Sequence, residues 1–496
     1  MTISVEQLAT FCRAKGFTYQ SSELYGGLSG IYDYGPLGVE LKRAILNHWW
    51  RRFVTGRDDM IGMDGAIISS AKIWDASGHT SSFNDPIVHD AKTSEQYRAD
   101  HLIEDALGIA TDGMTSDELQ ALIEKHDLTS PAGNPLTPLT SFNLMFPVSL
   151  GASQKSANHG FLRGETAQII FANFKNITDT NRVKLPFGIA QIGKAFRNEI
   201  SPRDFLFRLR EFEQMEIEYF TNPNATYEWK EHFDPELLDT SVVFASRADQ
   251  QNDSDGTKRT LRELVAQGAL SELHAYWIGE SYRWYVDLGL SEEKLRIREH
   301  LEDELSHYSS ATFDIDYRYP FGYKEMYGCA DRGDFDLAQH AKHSGKKLLF
   351  HDDSTSEKLL PHVIEPSFGF ERAFLAMLFE AYRDDERGNA VLSLTPALAP
   401  VQAAVLPLVA NKSELVETSR RIYRTLTESG LRSAYDKGGS IGRRYARQDE
   451  IGTPYCVTVD FESLEDGAVT VRDRDSTEQE RVPIDTLSSW LTERCR

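Results

Sequence analysis

Residues 35–53 carry the first clear pattern: Leu37, Leu41, Ile45, Trp49 and Phe53 recur every four positions, the spacing of one helix face. Gly35-Pro36 precede them, and proline is tolerated in a first helical turn, so the pattern predicts a helix entered at that point. Residues 98–127 also read as helical, though strongly charged. They run into SPAGNPLTPLTS at 130–141, a Pro/Ser/Thr-rich stretch that marks a surface insertion near 98–140. Residues 187–220 predict two long strands around a polar turn, and 228–310 return to a polar, helical pattern, a second insertion or helical support.

Further on, PHVIEPSFGFERAFLAMLFEAY at 361–382 predicts a short buried strand, a turn at Gly369, and a helix burying Ala373, Leu375, Met377, Leu378 and Ala381. SLTPALAP at 393–400 has the composition of a linker between a domain at 1–392 and one at 401–496. After it come a strand in VQAAVLPLV and a helix from near Ser413 to a C-cap at Gly430. YCVTVD (455–460) and AVTVRD (468–473) then alternate around Asp466-Gly467, a hairpin signal. That succession predicts a small α/β domain.

Composition narrows the function classes. The chain has 496 residues, 40% of them hydrophobic and 26% charged, enough for several cores. No apolar run approaches the roughly 18 residues of a membrane span, and MTISVEQLATFCRAKGF lacks the apolar region of a secretion signal. The four cysteines never stand at CxxC spacing, so no zinc is expected and a reduced, cytoplasmic chain is. A net charge of −22 argues against indiscriminate nucleic-acid binding. Residues 397–496 hold 14 basic and 16 acidic groups, which leaves 40 and 60 in the rest. Any RNA surface is therefore a local basic patch.

Two segments carry chemistry. In FGIAQIGKAFRNEISPRDFLFRLREFEQMEIEYF (187–220), strand alternation aims Arg197 with Glu199, and Arg208, Arg210, Phe212, Gln214, Glu216 and Glu218 together on one face. The other face takes Glu213, Met215, Ile217 and Tyr219. A solvated hairpin face with cross-strand ion pairs gives the same pattern. In the second segment, Arg372 falls in the first turn of a helix, where a cation opposes the dipole unless an anion neutralises it. A phosphate or a neighbouring acid would serve.

Arg197-Asn198-Glu199 with Phe212 resembles motif 2 of the class II aminoacyl-tRNA synthetases, and Gly369-Phe370-Glu371-Arg372 resembles their motif 3. GGLSGIYDYGPLGVELKRAI, WDASGH, RADHLIE, FLRGETAQ, YGCADRGDFDL and EPSFGFER are similar to the glycyl-tRNA synthetases of the single-chain homodimeric type. The likeness spans about residue 10 to the C-terminal domain. It implies an α/β (α+β) chain, with a catalytic domain on an antiparallel sheet flanked by helices and a C-terminal anticodon-binding domain. It also implies glycine, ATP, Mg²⁺ and tRNA-Gly as partners, in a homodimer.

Carried over residue by residue, the resemblance gives Arg197 to the α-phosphate, Glu199 to the adenine amino group and Phe212 to the adenine ring. Arg208 and Arg372 take the terminal phosphates, and Glu325, of KEMYG, the Mg²⁺ that accompanies ATP. Nucleotide contact extends to Asn198, Phe207, Leu209, Arg210, Glu211, Met326, Gly369, Phe370 and Glu371. The ammonium of glycine falls among Glu165, Glu216 and Glu365 beside Ser367, with Arg98 at the carboxylate end. Phe212, Glu213, Gln214, Met215, Pro366, Phe368 and Gly369 complete that pocket. Steric refusal of larger side chains makes an editing domain unnecessary.

In DKGGSIGRRYARQDEIGTP (436–454), Lys437, Arg443, Arg444 and Arg447 interleave with Tyr445, which suits single-stranded RNA; four cations on a solvated face read alike. VHDAKTSEQY lacks the cysteine pairs that relatives often carry before RADH. Two other readings stay open: a class II synthetase for serine, proline or threonine, and a non-catalytic synthetase-like RNA-binding protein.

Overall fold

Nine strands form the sheet that carries the candidate site. In chain order they are β1 (Met60–Met63), β2 (Phe187–Phe196), β3 (Glu211–Thr221), β4 (Ser241–Ala245), β5 (Thr257–Thr260), β6 (Leu295–Glu299), β7 (Ala311–Tyr319), β8 (Gly322–Gly333) and β9 (His362–Gly369). Their lateral order is β5-β4-β6-β7-β8-β9-β3-β2-β1. Only the β1–β2 and β4–β6 pairs run parallel. The computed structural model describes residues 3–109, 111, 114–151, 159–225, 234–306, 309–385 and 388–495.

Five helices support this sheet: α1 (Pro36–Trp50), α2 (Ala167–Thr180), α3 (Glu272–Asp287), α4 (Phe335–Ser344) and α5 (Phe370–Ala381). The predicted α1 stripe is the buried one, with Leu41, Ile45, Trp49 and Phe53 fully enclosed and Leu37 packed at its margin. Pro36 stands at the first helical position, and the helix widens over Arg51–Thr55. Phe368 of β9 anchors the core, with Trp49 and Trp284 ring centroids at 5.7 and 5.4 Å. Each such aromatic truncated to alanine costs about 3–5 kcal/mol, so this packing fixes the height of β9 beneath the site. On the other side α2 closes over the far ends of β2 and β3, with Phe174 and Phe220 rings 4.8 Å apart.

Four details differ from the sequence expectation. The insertion near 98–140 begins earlier, as a three-stranded sheet of Asn84–His89, Gln96–Arg98 and Thr140–Asn143. Two helices, Ala99–Leu107 and Ser116–Lys125, cover it around Val88, Ala99, Ile103, Leu119 and Ile123. The 228–310 region is not polar helical support, although 226–233 and 307–308 lie outside the described residues. It supplies β4, β5 and β6, and its main helix α3 is buried through Trp277, Ile278, Trp284 and Tyr285. The charged residues Arg296, Arg298 and Glu299 on β6 disguise a strand whose Leu295 and Ile297 are fully buried.

The 393–400 linker is packed rather than loose: Leu394, Leu398 and Ala399 are buried, and Arg432 donates to the carbonyls of Ala397 (2.7 Å) and Ala399 (3.0 Å). Finally, 455–459 and 468–473 do pair, but a helical turn over Ser463–Asp466, ended by Gly467 at φ 66°, connects them. The last hundred residues form a five-stranded sheet with three main helices and their own core around Val405, Leu415, Ile422, Val457 and Leu491.

Candidate active site

The β2–β3 hairpin sets the geometry. Phe196 pairs with Glu211 and Gln191 with Glu216, so residues 197–210 form the connecting loop rather than strand. On the other edge of β3, Gln214 faces Gly369 and Glu216 faces Ser367 of β9, while Gly328 of β8 pairs with Ser367. Alternation then sorts β3 as the sequence pattern required. Met215, Ile217 and Tyr219 enter the aromatic core, and the even-numbered residues face the opposite way. Gly193 is needed here: a Cβ would stand 2.1 Å from the Arg163 guanidinium, which crosses the strand to the carbonyl of Lys194.

Above this floor lies a cleft of about 350 Å³. The loop lines it with Arg197, Glu199, Leu206, Phe207, Arg208 and Leu209, and β3 with Phe212 and Gln214. Glu325 from β8, Ser367 and Gly369 from β9, and Glu371 and Arg372 from α5 complete the wall. Only Leu206 in this set is new relative to the sequence reading. Arg197 donates to the Gly164 carbonyl at 3.2 Å and lies between two rings, 5.1 Å from Phe83 and 5.3 Å from Phe212. Arg372 stands over Phe207 at 4.6 Å and meets the Glu325 carboxylate at 3.0 Å, the neutralising anion its position demands. Burial alone would raise the Glu325 carboxyl, but Arg372, with His300 and Arg298 behind it, brings it below the ordinary range. Arg208 reaches Glu199 at 3.9 Å and His101 at 3.1 Å, which joins the added sheet to the cleft.

Beneath Gln214 and Ser367, which line the cleft, lies a cluster of buried acids. Ser367 donates to Glu216 at 2.8 Å, Gln214 does so at 3.2 Å, and the Thr166 hydroxyl bonds its other oxygen. Glu365 accepts from Arg332 at 2.8 Å, and Arg332 grips Asp336 with two further bonds of 2.7 and 2.9 Å. Glu165 is held by His79 at 3.2 Å and Gln168 at 3.1 Å. Burial, together with the neighbouring Glu216 and Glu165, pushes Glu365 up to about 8 despite Arg332. Burial and Glu165 likewise raise Glu216. Glu165 goes the other way: burial opposes its charge, but His79 and Arg332 hold it well below the usual carboxylate range. This pocket is short of positive charge, so it suits a small cation.

Other sequence-named residues fall outside the cavity wall. Met215, Met326, Phe368 and Phe370 are core residues, and Pro366 is buried on β9 opposite Cys329. Glu211 pairs with Lys194, and Glu213 with Lys42. Asn198 donates its backbone N–H to Leu144 at 2.8 Å, and Arg210 donates to the carbonyls of Glu199 and Ser29. Arg98 is clasped by Asp85 and Asp100 beside the cleft rim. Glu371, by contrast, does line the wall; pushed up to about 7 by burial against the pull of Lys42, it accepts from Tyr34 and from the Glu213 backbone, which ties α5 to β3.

In the C-terminal domain Lys437, Arg443 and Arg447 are exposed. Arg444 corrects the sequence expectation of a solvent-facing cation. It is 1% exposed and donates to the carbonyls of Pro407 and Leu408 at 2.6 and 3.1 Å. Tyr445 packs too, bonding Thr458 at 2.7 Å under Arg472.

Sequence reasoning did not single out Phe83, His79, Thr166, Gln168 or Arg332. Their signals were nonetheless present: His79 closes WDASGH, Thr166 and Gln168 stand in FLRGETAQ, and Arg332-Asp336 has i,i+4 spacing in YGCADRGDFDL.

Comparison with known proteins agrees with this geometry. A family profile described as an anticodon binding domain matches residues 402–494. The chain is 43% identical to the glycine–tRNA ligase of Staphylococcus haemolyticus, over 100% of this chain and 99% of the relative. It is 44% identical to that of Geobacillus thermodenitrificans, over 99% and 97%, and 42% identical to that of Alkaliphilus oremlandii, over 99% of each. With relatives of that identity matched along nearly their whole length, and an arginine-lined cleft beside a buried carboxylate cluster, the chain belongs to the glycine–tRNA ligase family.

Proposed function

We propose that this chain activates glycine with ATP, giving glycyl-adenylate and pyrophosphate, and then passes the glycyl group to the 3′ end of tRNA-Gly. The observation that carries the reading is the link between the two sites: Gln214 and Ser367 line the arginine-rich cavity and also hydrogen-bond Glu216 of the buried acid cluster. One end suits polyphosphate, the other an ammonium group, and the reacting carboxylate falls between.

The chemistry needs no general base, because the substrate carboxylate is already ionised at neutral pH. It needs two anions held in line and charge neutralised as it builds on the phosphates. Arg197, with its plane fixed between Phe83 and Phe212, is placed for the α-phosphate, and Phe212 offers a face to the adenine. Glu199 takes the adenine amino group, while Arg208 and Arg372 take the terminal phosphates. Glu325 is a hard oxygen donor, half-exposed at the cleft wall, which fits the Mg²⁺ that accompanies ATP. Bound there, the ion would neutralise phosphate charge. Glu165, Glu216 and Glu365 take the ammonium, and Arg98 lies toward the carboxylate side. Arg443, Arg447 and Lys437 are the C-terminal cations that reach solvent for the anticodon arm.

The same reading includes a homodimer, a cytoplasmic location and no zinc requirement. Among the described residues no helix is long and apolar enough to cross a membrane.

Incubation with radiolabelled glycine, ATP, Mg²⁺ and unfractionated tRNA tests the proposal. Acid-precipitable glycine that disappears on mild alkaline treatment supports it. Label entering tRNA from serine, proline or threonine instead would overturn the substrate, and no label from any amino acid would overturn the activity.

A further inference from the structure

Glu218 stands beside the amino-acid pocket with no role in the account above. It is 0% exposed, and among the described residues neither of its oxygens has a hydrogen-bond partner. It follows Glu216 by two positions on β3, so both project from one face. One carboxyl oxygen each from Glu216, Glu218 and Glu365 lies within 4.8 Å of the other two. The charged groups around it are Glu216 on its own strand, Glu365 on β9, Arg332 on β8 and Asp336 on α4. Across the sheet its pairing partner on β2 is the apolar Ile189. Arg332, the cation of this group, donates to Asp336 and Glu365.

An ionised carboxylate enclosed in this way, beside two other acids and with no donor turned to it, is far less stable than a protonated one. Burial first, then the neighbouring Glu365, drives its carboxyl well above the ordinary value. A neutral acid carries a hydroxyl donor, and oxygens of Glu216 and Glu365 within 4.8 Å are acceptors for it to turn toward. It also spares the pocket a fourth negative charge around a ligand of charge +1.

We propose that Glu218 is a positioning residue for amino-acid recognition that works as a neutral carboxylic acid, donating its O–H to the Glu216–Glu365 edge so that those two groups stay turned as acceptors for the substrate's ammonium. This rests on the amino-acid pocket proposed above and adds to it a buried acid used for its proton rather than its charge, a device known from other active sites.

Two variants separate the possibilities. Glu218→Gln keeps the shape and a donor but cannot ionise, whereas Glu218→Met keeps only the bulk. The glutamine variant should hold the KM for glycine within about threefold of the parent, and the methionine variant should raise it on the order of tenfold, with the KM for ATP and kcat little changed in both. Infrared difference spectra of the empty protein at neutral pH, parent minus Glu218→Gln, should show a protonated carboxyl band. Equal impairment of the two variants would overturn the proposal, because Glu218 would then act ionised, as a direct cation ligand. An unchanged KM for glycine in Glu218→Met, or no carboxyl band, would overturn it too. If Glu218→Met does not fold, the glutamine variant and the spectrum decide. Glu216→Gln is the control for the underlying pocket. If it leaves the KM for glycine untouched, the pocket assignment itself fails; if only Glu218→Met is silent, the pocket stands and this proposal fails.

Discussion

At one end of the site Arg197, Arg208 and Arg372 line the open cleft with the rings of Phe207 and Phe212; at the other, Glu165, Glu216 and Glu365 are buried beneath it with Arg332 and His79 beside them. The two ends differ in how their charges are maintained. The arginines rest on carbonyls, rings and single acids that a polyphosphate can outcompete. The glutamates are enclosed and crowd one another, so their charge is conditional: His79 and Arg332 hold Glu165 charged, while Glu365 rises to about 8 even beside Arg332. On the proposed assignment, the arginine end neutralises a ligand that is already highly charged, and the carboxylate end demands a cation.

That contrast is open to attack at either end. Arg197→Ala should lower glycine-dependent ATP–pyrophosphate exchange by on the order of 10²–10³-fold, the usual cost of removing one group aimed at developing charge. Thermal unfolding should stay near that of the parent, because Arg197 makes one 3.2 Å bond and two ring contacts. Glu216→Gln should act at the other end, raising the KM for glycine about 10- to 100-fold while the KM for ATP holds. If it disturbed both constants equally, the two ends would not be separable.

A smaller effect should appear on titration. Because the folded-state value of Glu365 is raised from 4.5 to about 8, its contribution to stability is fully present below pH 4.5 and is lost as pH rises toward 8. Thermal melts of the empty protein should show this slope, and Glu365→Gln should flatten it. Over the same range the KM for glycine should fall as pH rises, since the ionised carboxyl is the better ammonium ligand, while the KM for ATP should show no matching trend. The least effect on exchange is expected from Arg443→Ala: none without tRNA, and a rise of about three- to tenfold in the KM for tRNA that shrinks at high salt. Arg444→Ala, at the next residue but buried on backbone carbonyls, should instead destabilise the C-terminal domain by about 2–4 kcal/mol.

The sequence was most legible where local period and local function coincide. The alternation of Gln214, Glu216 and Glu218 against Met215, Ile217 and Tyr219 is visible in the order of residues, and β3 obeys it. The turn at Gly369 before Arg372 is equally local, as is the α1 stripe. Periodicity ended at residue 210, however, because Arg208 and Arg210 belong to a loop whose geometry depends on Gly30, Glu199 and Ser29. The supports of the acid pocket come from separate segments, with His79, Thr166, Gln168 and Arg332 converging only once β3, β8 and β9 lie side by side. No spacing rule brings them together. β6 was hidden because its arginines, which would mark a solvated segment, pair with Asp314 and Asp316 on β7. Arg444 misled in the opposite sense: cation clustering cannot tell a phosphate contact from a guanidinium that serves as an internal brace.

The most direct test of the central claim is ATP–pyrophosphate exchange with each of the twenty amino acids, with Mg²⁺ and without tRNA. The account predicts exchange with glycine alone, since the proposed assignment gives adenylate formation to the arginines, the ammonium to the carboxylates, and no place to a larger side chain. Exchange with a different amino acid would contradict the pocket assignment, and no exchange with any would contradict the adenylation chemistry itself.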